Sequence, residues 1–202
     1  MKPESESKRK LLEAAIDLIW QSSYGAVSVD DICAKAGVNK GSFYYAFKSK
    51  SDLAVAAYER YWEGKRALMD RIFSPQVPPL ERLDHWVEAV VDDQLQRYNT
   101  AGKMLGCPFC SIGSELSTQD ENIRRKAEEI GVKVTKYIES LVRDLAAEGL
   151  IESRNHAELA YELSAYTTGV LMQAKIENSP KHVERMKHGY VRLLGLKQPA
   201  TV

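Results

Sequence analysis

The chain has 202 residues, of which 44% are hydrophobic and 28% charged, an ordinary composition for a globular protein able to bury its own core. Lysine plus arginine and aspartate plus glutamate both number 28, so the formal net charge is zero; this excludes a uniformly basic nucleic-acid coat but not a local basic patch. Because there is no apolar run of roughly 18 residues and no secretory signal, we expect a soluble, cytoplasmic protein without membrane association.

Helical periodicity dominates the first third of the chain. Apolar residues recur at spacings of three and four from Ser5 to Ser23, which predicts an amphipathic helix. Ser28, followed by two aspartates, predicts the start of a second, short helix that Gly37 ends. The next two predicted helices are Lys40–Phe47, capped by Asn39, and Lys50–Phe73, capped by Ser49.

Prolines, glycines and capping residues divide the rest of the chain into five more predicted helices. They run from Leu80 to Tyr98, Phe109 to Leu116, Ser117 to about Glu148, His156 to Glu177, and Pro180 to about Leu194. Residues 100–108 are a predicted loop and 153–155 a predicted turn. The pattern predicts an all-α protein of about nine helices, with an N-terminal domain over 1–48 and a larger helical body over 49–202.

The second and third helices form a candidate helix-turn-helix, because a short turn containing Gly37 joins them. In that motif the second helix enters the major groove of DNA. Gly41 permits close approach of a backbone. The side chains able to reach phosphates or base edges are Lys40, Ser42, Tyr44 and Tyr45 on the third helix, with Lys48 and Lys50 beside the fourth. Short helices around a glycine also occur in proteins that do not bind DNA, so the pattern alone leaves ordinary packing as an alternative.

Three segments in this order resemble the signature of the tetracycline-repressor (TetR) family: Ser28–Ile32, Ala36–Tyr44 and Phe47–Leu53. The resemblance covers about residues 8–57 and implies a DNA-binding N-terminal domain followed by an effector-binding and dimerisation domain. Two positions depart from the family pattern. Ala46 replaces the usual His or Tyr and removes one phosphate contact, and Cys33 stands where Ala is usual.

The resemblance assigns roles to residues of this chain. Ser28 stands where a hydroxyl contacts a phosphate, and Tyr44 and Lys50 match further contacts to the DNA backbone. The side chains on the recognition face are then Lys40, Ser42 and Tyr45. The function implied is that of a transcriptional regulator, most simply a repressor that binds double-stranded operator DNA.

The last two predicted helices are candidates for a dimer face, since a helix-turn-helix normally works as a two-fold pair. The resemblance implies that they form a four-helix bundle with their symmetry mates. The apolar stripes are Leu159, Leu163, Tyr166, Val170 and Ala174 on the first, and Val183, Met186, Tyr190, Leu193 and Leu194 on the second. Periodicity alone fits ordinary core packing equally well.

An effector pocket is expected in the middle of the chain by the same resemblance. Large aromatic side chains are typical of a small-molecule cavity, although core packing is the alternative for each of them. The candidates are Trp62, Trp86, Phe109, Tyr137 and Tyr166, with Tyr58, Met69 and Val90 beside them.

Cys107 and Cys110 form a Cys-Pro-Phe-Cys motif at the start of the sixth predicted helix. A helix N-terminus stabilises a thiolate, which reacts with oxidants and electrophiles. The segment Gly106–Leu116 also resembles a TetR-like subgroup in which this cysteine can sense such compounds. Lys175 is a candidate partner that favours the thiolate. Two inert, half-buried cysteines, with a reversible hydrophobic ligand as effector, are the alternative.

Other functions lack support in the sequence. The four histidines are not spaced as zinc ligands with the cysteine pair, and a thioredoxin-like thiol oxidoreductase would need a βαβ context that is absent. A helical protein-interaction module would leave the lysines of residues 40–50 without a purpose. We therefore expect a regulator that is not an enzyme and has no cofactor and no metal site.

Overall fold

A computed structural model describes residues 4–152 and 155–196. Every regular element among these residues is an α-helix, which confirms the predicted fold class. The helices are α1 (Glu6–Gln21), α2 (Val29–Ala36), α3 (Lys40–Ala46), α4 (Lys50–Ile72), α5 (Pro79–Ala101), α6 (Pro108–Leu116), α7 (Glu121–Ala147), α8 (His156–Glu177), α9 (Lys181–Glu184) and α10 (Met186–Leu193). Part of the predicted turn at 153–155 lies outside the described residues.

The predicted caps explain where the N-terminal helices begin and end. The Ser28 hydroxyl accepts from the Asp31 N–H while the Asp31 carboxylate accepts from the Ser28 N–H, a complete capping box. Gly37 closes α2 in the left-handed conformation with φ at 65°. The Asn39 side chain accepts from the Ser42 N–H at 2.8 Å and starts α3. Local sequence therefore fixes the short turn between α2 and α3.

Contacts divide the chain into two compact units. The first contains the residues up to Arg66 together with Pro108–Ile130, and the second contains Ala67–Cys107 together with the residues from Gly131 onward. In the first unit α1 packs on α2, α3 and α6, around the fully buried Leu11, Ile32 and Phe43. The core of the second unit includes Leu83, Leu141, Leu145, Leu163, Met186 and Tyr190.

Most helix boundaries lie within two residues of the predicted ones, and three differences are larger. Helix α5 continues to Ala101, so Thr100 is helical; its hydroxyl donates to the Gln96 carbonyl at 2.9 Å, a bond that helical geometry allows. Helix α7 starts at Glu121 because Asp120 caps it, accepting from the N–H groups of the second and third helical residues. The predicted last helix is split into α9 and α10 at Arg185, whose ψ is 1°.

Five residues of the predicted dimer stripes are buried within the chain, whereas Leu193 is 42% exposed; dimerisation through the last helices stays a prediction. Leu163, Ala174, Val183, Met186 and Tyr190 are each 0% exposed, because α8, α9 and α10 pack on each other and α9 and α10 pack on α5. These residues belong to the core of the chain itself. The apolar residues on the side of α8 that the described residues leave exposed are others, namely Tyr161, Ala165, Gly169 and Ile176.

None of the described helices is both long enough and apolar enough to serve as a membrane span.

Candidate DNA interface and thiol segment

Helix α3 separates its aromatic side chains by face. Phe43 is 0% exposed and contacts Phe47 at 6.1 Å between ring centroids, so these two residues anchor the helix. Tyr44 is 61% exposed and Tyr45 94% exposed. An exposed aromatic is ordinarily disfavoured, and two in sequence on one short helix indicate a contact surface. The structure thus presents Tyr44 and Tyr45 outward, as a recognition helix requires.

The polar residues of α3 are held by α2 and by the turn. The Lys40 ammonium lies 2.7 Å from an Asp30 carboxylate oxygen, and this hydrogen bond raises the pKa of Lys40. A Cβ on Gly41 would lie 3.2 Å from the Asn39 carboxamide oxygen, so glycine leaves room for the cap. Lys40 therefore stays charged and is placed at the N-terminal end of α3.

Ser28 lies exposed at the start of α2, where helix N–H groups favour an anion. Its hydroxyl also donates to the Asp31 carboxylate at 2.6 Å. The hydrogen bonds from Ser28 lower the pKa of Asp31. The structure does not test a phosphate contact by this hydroxyl, which stays a prediction.

Lys48 and Lys50 are in different environments. Lys48 is exposed. Lys50 is half-buried, and its ammonium donates to the carbonyls of Tyr24 and Val27, both at 2.8 Å, and lies 3.9 Å from the centroid of the Tyr24 ring. Burial lowers the pKa of Lys50. Lys50 thus binds the turn between α1 and α2, a role that sequence reasoning missed, and its predicted contact to DNA stays a prediction.

The residues preceding Cys107 are held by two side-chain amides. The buried Gln94 pairs with both backbone groups of Gly106: the Gly106 N–H donates to Oε1 at 3.0 Å, and Nε2 donates to the Gly106 carbonyl at 3.3 Å. Asn178, after α8, accepts from the Met104 N–H at 2.9 Å and donates to the Gly102 carbonyl at 3.1 Å. These four bonds fix the loop that leads to Cys107.

Cys107 packs against a buried apolar cluster that includes Met104, Leu171 and Ala174. The neighbouring Gly106 has φ at 67°, and a Cβ there would lie 3.2 Å from the Leu171 carbonyl and 3.4 Å from the Lys175 side chain. The aliphatic part of the Lys175 side chain therefore lies against the residue next to Cys107, and an effect of its ammonium on the thiol stays a prediction.

The three cysteines are thiols in distinct surroundings. Cys107 and Cys110 are half-buried, whereas Cys33 is buried. Burial raises the pKa of Cys33, which disfavours its thiolate. No group of side chains in the described parts of the chain is suited to hold a metal ion.

The aromatic residues predicted to line a pocket are distributed over both units. In the first unit Phe109 contacts Tyr58 and Tyr61, at centroid distances of 5.5 and 5.6 Å; Trp62 is buried in the same unit. In the second unit Phe73 lies between Trp86 and Tyr137, at 5.6 and 5.4 Å. Tyr166 packs edge-on against Tyr190, whose hydroxyl accepts from the Trp86 indole at 2.9 Å.

The cavity beside Phe109 and Tyr58 measures about 10 Å³, which is at the lower limit for a single water molecule. An effector would have to open this cluster to enter it.

Two further residues that position these segments escaped prediction. Glu115 accepts from the N–H groups of Tyr24 and Gly25, and Gln94 holds Gly106. Glu115 lies 90 and 91 residues from its partners, so no local pattern reveals the contact. Gln94 has a weak signal, since it is a polar residue at a buried position of an amphipathic helix.

A capped helix-turn-helix with an outward-facing recognition helix, attached to a helical body, defines a DNA-binding transcriptional regulator. Two sequence profiles match the chain. The profile described as "Bacterial regulatory proteins, tetR family" matches residues 11–57, and that described as "Tetracyclin repressor-like, C-terminal domain" matches residues 79–190. The chain belongs to the TetR family of transcriptional regulators.

Individual relatives match most of the chain. The chain is 28% identical to the transcriptional regulator AcuR of Cereibacter sphaeroides, covering 95% of this chain and 84% of AcuR. It is 24% identical to the HTH-type transcriptional repressor NemR of Escherichia coli K12, covering 90% of each chain. Both relatives are described as regulators of transcription.

Solved structures show the same fold. The crystal structure of regulatory protein TetR from Rhodobacter sphaeroides superposes with a TM-score of 0.83 at 24% identity, covering 94% of this chain and 99% of the other. The reduced form of E. coli NemR superposes with a TM-score of 0.80 at 22% identity, covering 98% of this chain and all of the other.

Proposed function

We propose that the protein is a homodimeric transcriptional repressor of the cytoplasm that binds operator DNA through α3 and releases it when an effector acts on the helical body. The observation that carries DNA binding is the outward presentation of Tyr44 and Tyr45, beside Lys40, on a helix anchored by Phe43, with the exposed Lys48 just after that helix. Residues 1–48 would serve as the DNA-binding domain and 49–202 as the effector-binding and dimerisation domain.

Dimerisation is supported by the surface of α8. Tyr161, Ala165, Gly169 and Ile176 recur along its exposed side at helical spacing, and Tyr161 and Ile176 are 70% and 69% exposed. The opposite side of α8 is buried in the chain, so the helix has apolar residues on two sides, although Glu158, Glu162, Gln173 and Glu177 are exposed as well. A second copy related by a two-fold axis would cover this face and pair two recognition helices.

A thiol-reactive effector is supported by the segment around Cys107. Its backbone is fixed by Gln94 and Asn178, its thiol is half-buried, and Lys175 lies over the neighbouring Gly106. In this proposal the Lys175 ammonium supplies the positive charge that favours a thiolate. The thiolate adds to one carbon of an activated alkene, whose π bond breaks and whose other carbon takes up a proton, so that a thioether forms. The likeness to NemR, whose structure is described as a reduced form, supports a regulator that responds to its redox state.

A reversible hydrophobic ligand with inert cysteines is the second candidate. The observation in its favour is the aromatic cluster of Phe73, Trp86 and Tyr137, in which the Tyr137 hydroxyl is hydrogen-bonded to Asp70. Apolar surface with a few placed polar groups is typical of a ligand site.

The test is a DNA-binding assay on a duplex selected by the wild-type protein from a randomised pool. Binding is measured for the reduced protein, after mild peroxide and after an alkylating electrophile. Cys107→Ser, Cys110→Ser and Cys33→Ser are treated in parallel. The thiol switch predicts that wild type and Cys33→Ser release DNA after treatment and that Cys107→Ser does not.

The outcomes separate the two effectors. If the treated Cys107→Ser variant releases DNA to the same extent as treated wild type, a switch at that thiol is contradicted. Binding that survives every treatment would favour the reversible ligand. Sequence-independent binding by the reduced wild type would contradict the repressor itself.

A further inference from the structure

We infer that Glu115, on α6, is a positioning residue for DNA binding: it holds the turn between α1 and α2 and so sets where α2 begins. The inference rests on the proposed DNA-binding function. It assigns to that function a residue that lies in sequence far outside the helix-turn-helix.

The contact is bidentate. Glu115 Oε2 accepts from the Tyr24 N–H at 3.0 Å, and Oε1 accepts from the Gly25 N–H at 2.7 Å. Hydrogen bonds to a carboxylate are about twice as strong as neutral ones. The Glu115 side chain is half-buried, and α6 packs on α1, so the carboxylate is fixed by its helix as well as by its bonds.

Lys50 completes the arrangement from the other side of the turn. Its ammonium binds the carbonyls of Tyr24 and Val27, while the Glu115 carboxylate binds the N–H groups of Tyr24 and Gly25. Glu115 also acts on Lys50 electrostatically, opposing the effect of burial on the lysine pKa. The negative charge of Glu115 therefore binds backbone N–H groups of the turn, and the positive charge of Lys50 binds backbone carbonyls of the same turn.

The turn leads directly into the N-terminal end of the DNA-binding motif. Val27 is 4% exposed, and the next residue is Ser28, the cap of α2. A shift of residues 24–27 would move Ser28 and the start of α2 with them. Because a helix N-terminus must lie close to a phosphate to bind it, DNA affinity depends on the position of this turn.

The loss of charge and the loss of positioning predict opposite changes in DNA affinity for Glu115→Gln. Glu115→Gln removes a negative charge, so by charge alone it should strengthen binding to the polyanion DNA. If Glu115 positions the turn, the variant loses an acceptor, brings an amide donor against an N–H group, and weakens DNA binding about tenfold. Glu128→Gln is the matched control, because Glu128 is an exposed residue of the same unit with the same change of charge.

The experiment measures fluorescence anisotropy of the full-length variants on a labelled duplex of about 30 base pairs, enough for two half-sites a helical turn apart, selected by the wild-type protein. Hydrogen exchange of the same variants is followed by mass spectrometry. We expect weaker binding by Glu115→Gln, unchanged or slightly tighter binding by Glu128→Gln, and faster exchange at residues 24–28 while α8 keeps its protection.

Several results would overturn the inference. Wild-type affinity of a folded Glu115→Gln protein would do so, and so would weaker binding accompanied by equally faster exchange over the whole chain. If Glu115→Gln does not fold, Glu115→Asp replaces it: this variant keeps the charge on a shorter side chain, and we again expect weaker DNA binding. Failure of both variants to fold would assign Glu115 to the fold alone and overturn the inference. A wild-type protein that selects no duplex would refute the proposed function, whereas equal binding by wild type and Glu115→Gln refutes only this inference.

Discussion

Gly106 and Gly102 adopt the same backbone conformation, each with φ at 67°, but in different surroundings. A Cβ at Gly106 would lie 3.2 Å from the Leu171 carbonyl, whereas a Cβ at Gly102 would have nothing within 4 Å. Alanine in this conformation is strained by about 1 kcal/mol, and overpacking adds roughly 1–3 kcal/mol. A comparison of alanine at the two positions therefore distinguishes the cost of backbone strain from the cost of a close contact with a neighbouring residue.

We predict that Gly106→Ala lowers the free energy of unfolding by about 3 kcal/mol and that Gly102→Ala lowers it by about 1 kcal/mol. Urea unfolding followed by circular dichroism measures both values. Equal losses in the two variants would contradict a close contact between Gly106 and Leu171.

Lys48 and Lys50 make a second comparison at the residue scale. Lys50→Met removes the ammonium that binds two carbonyls of the turn, so we predict that it lowers both thermal stability and DNA affinity. Lys48→Met removes an exposed charge, so we predict weaker DNA binding with an unchanged melting temperature. Thermal unfolding and anisotropy of both variants check this, and a Lys50→Met protein as stable as wild type would contradict the role of Lys50 in the turn.

The residues that touch DNA in the proposal were accessible to sequence reasoning, because α3 is short and its caps are local. The residues that hold the turn and the Cys107 loop were not. Glu115 reaches backbone groups 90 and 91 residues away, and backbone donors leave no signature in sequence. From the sequence alone, Lys50 is indistinguishable from an exposed lysine at the start of a helix; only the structure shows the turn that it binds.

At the scale of the elements, Arg82 on α5 and Asp144 on α7 form an ion pair with 2.6 Å between Nη1 and Oδ2. The Arg82 side chain is 4% exposed, and its Nε donates to the Val77 carbonyl at 2.6 Å. Burial alone would raise the pKa of Asp144, but hydrogen bonds from Arg82 and Arg143 outweigh it and lower the pKa.

We predict that Asp144→Asn lowers the free energy of unfolding by roughly 2 kcal/mol at neutral pH, because it leaves Arg82 buried beside a neutral partner. Asp84→Asn, which breaks an exposed pair with Lys187, should lower it by less than about 1 kcal/mol. Chemical unfolding of both variants measures the difference. Equal effects would contradict a special role for the buried pair.

The direction of the Asp144 pKa shift determines how the contribution of the Arg82–Asp144 pair to stability depends on pH. Since the folded state holds the pKa of Asp144 below its ordinary value of about 4, its contribution is complete above that value and is lost as the pH falls through the lowered pKa. We therefore predict that the stability difference between wild type and Asp144→Asn shrinks in acid below about pH 4. A difference that stays constant to lower pH would contradict the lowered pKa.

The element order was predictable because periodicity and capping are local properties of the sequence. The boundaries that differ depend on particular residues. Asp120 caps α7, although Ser117 and Thr118 are also residue types that cap helices. The last helix is interrupted at Arg185, where there is no proline or glycine. Which apolar stripe faces the core was not predictable, since buried and interface stripes have the same spacing. Burial of Leu163 and Met186 within the chain decides the question.

At the scale of the whole molecule, the proposed dimer places a charge-sensitive surface on α8. Ile176→Glu and Tyr161→Glu would each put a charge into an apolar interface, so we predict a shift from dimer to monomer with loss of DNA affinity. Val132→Glu on α7, where the side chain is 50% exposed, is the control and should stay dimeric. Sedimentation equilibrium measures the mass, and a dimer that persists in both α8 variants would contradict this interface.

The central claim is that this chain reads DNA with α3. The most direct test compares wild type with a Lys40→Glu, Lys48→Glu double variant on the selected duplex over a range of salt concentrations. We predict sequence-specific binding by wild type, with affinity that falls steeply as salt rises. We also predict loss of binding by a double variant that stays folded, because the two charges that the proposal places against DNA are reversed. Equal binding by the two proteins, or no preference of wild type for the selected sequence, would contradict the claim.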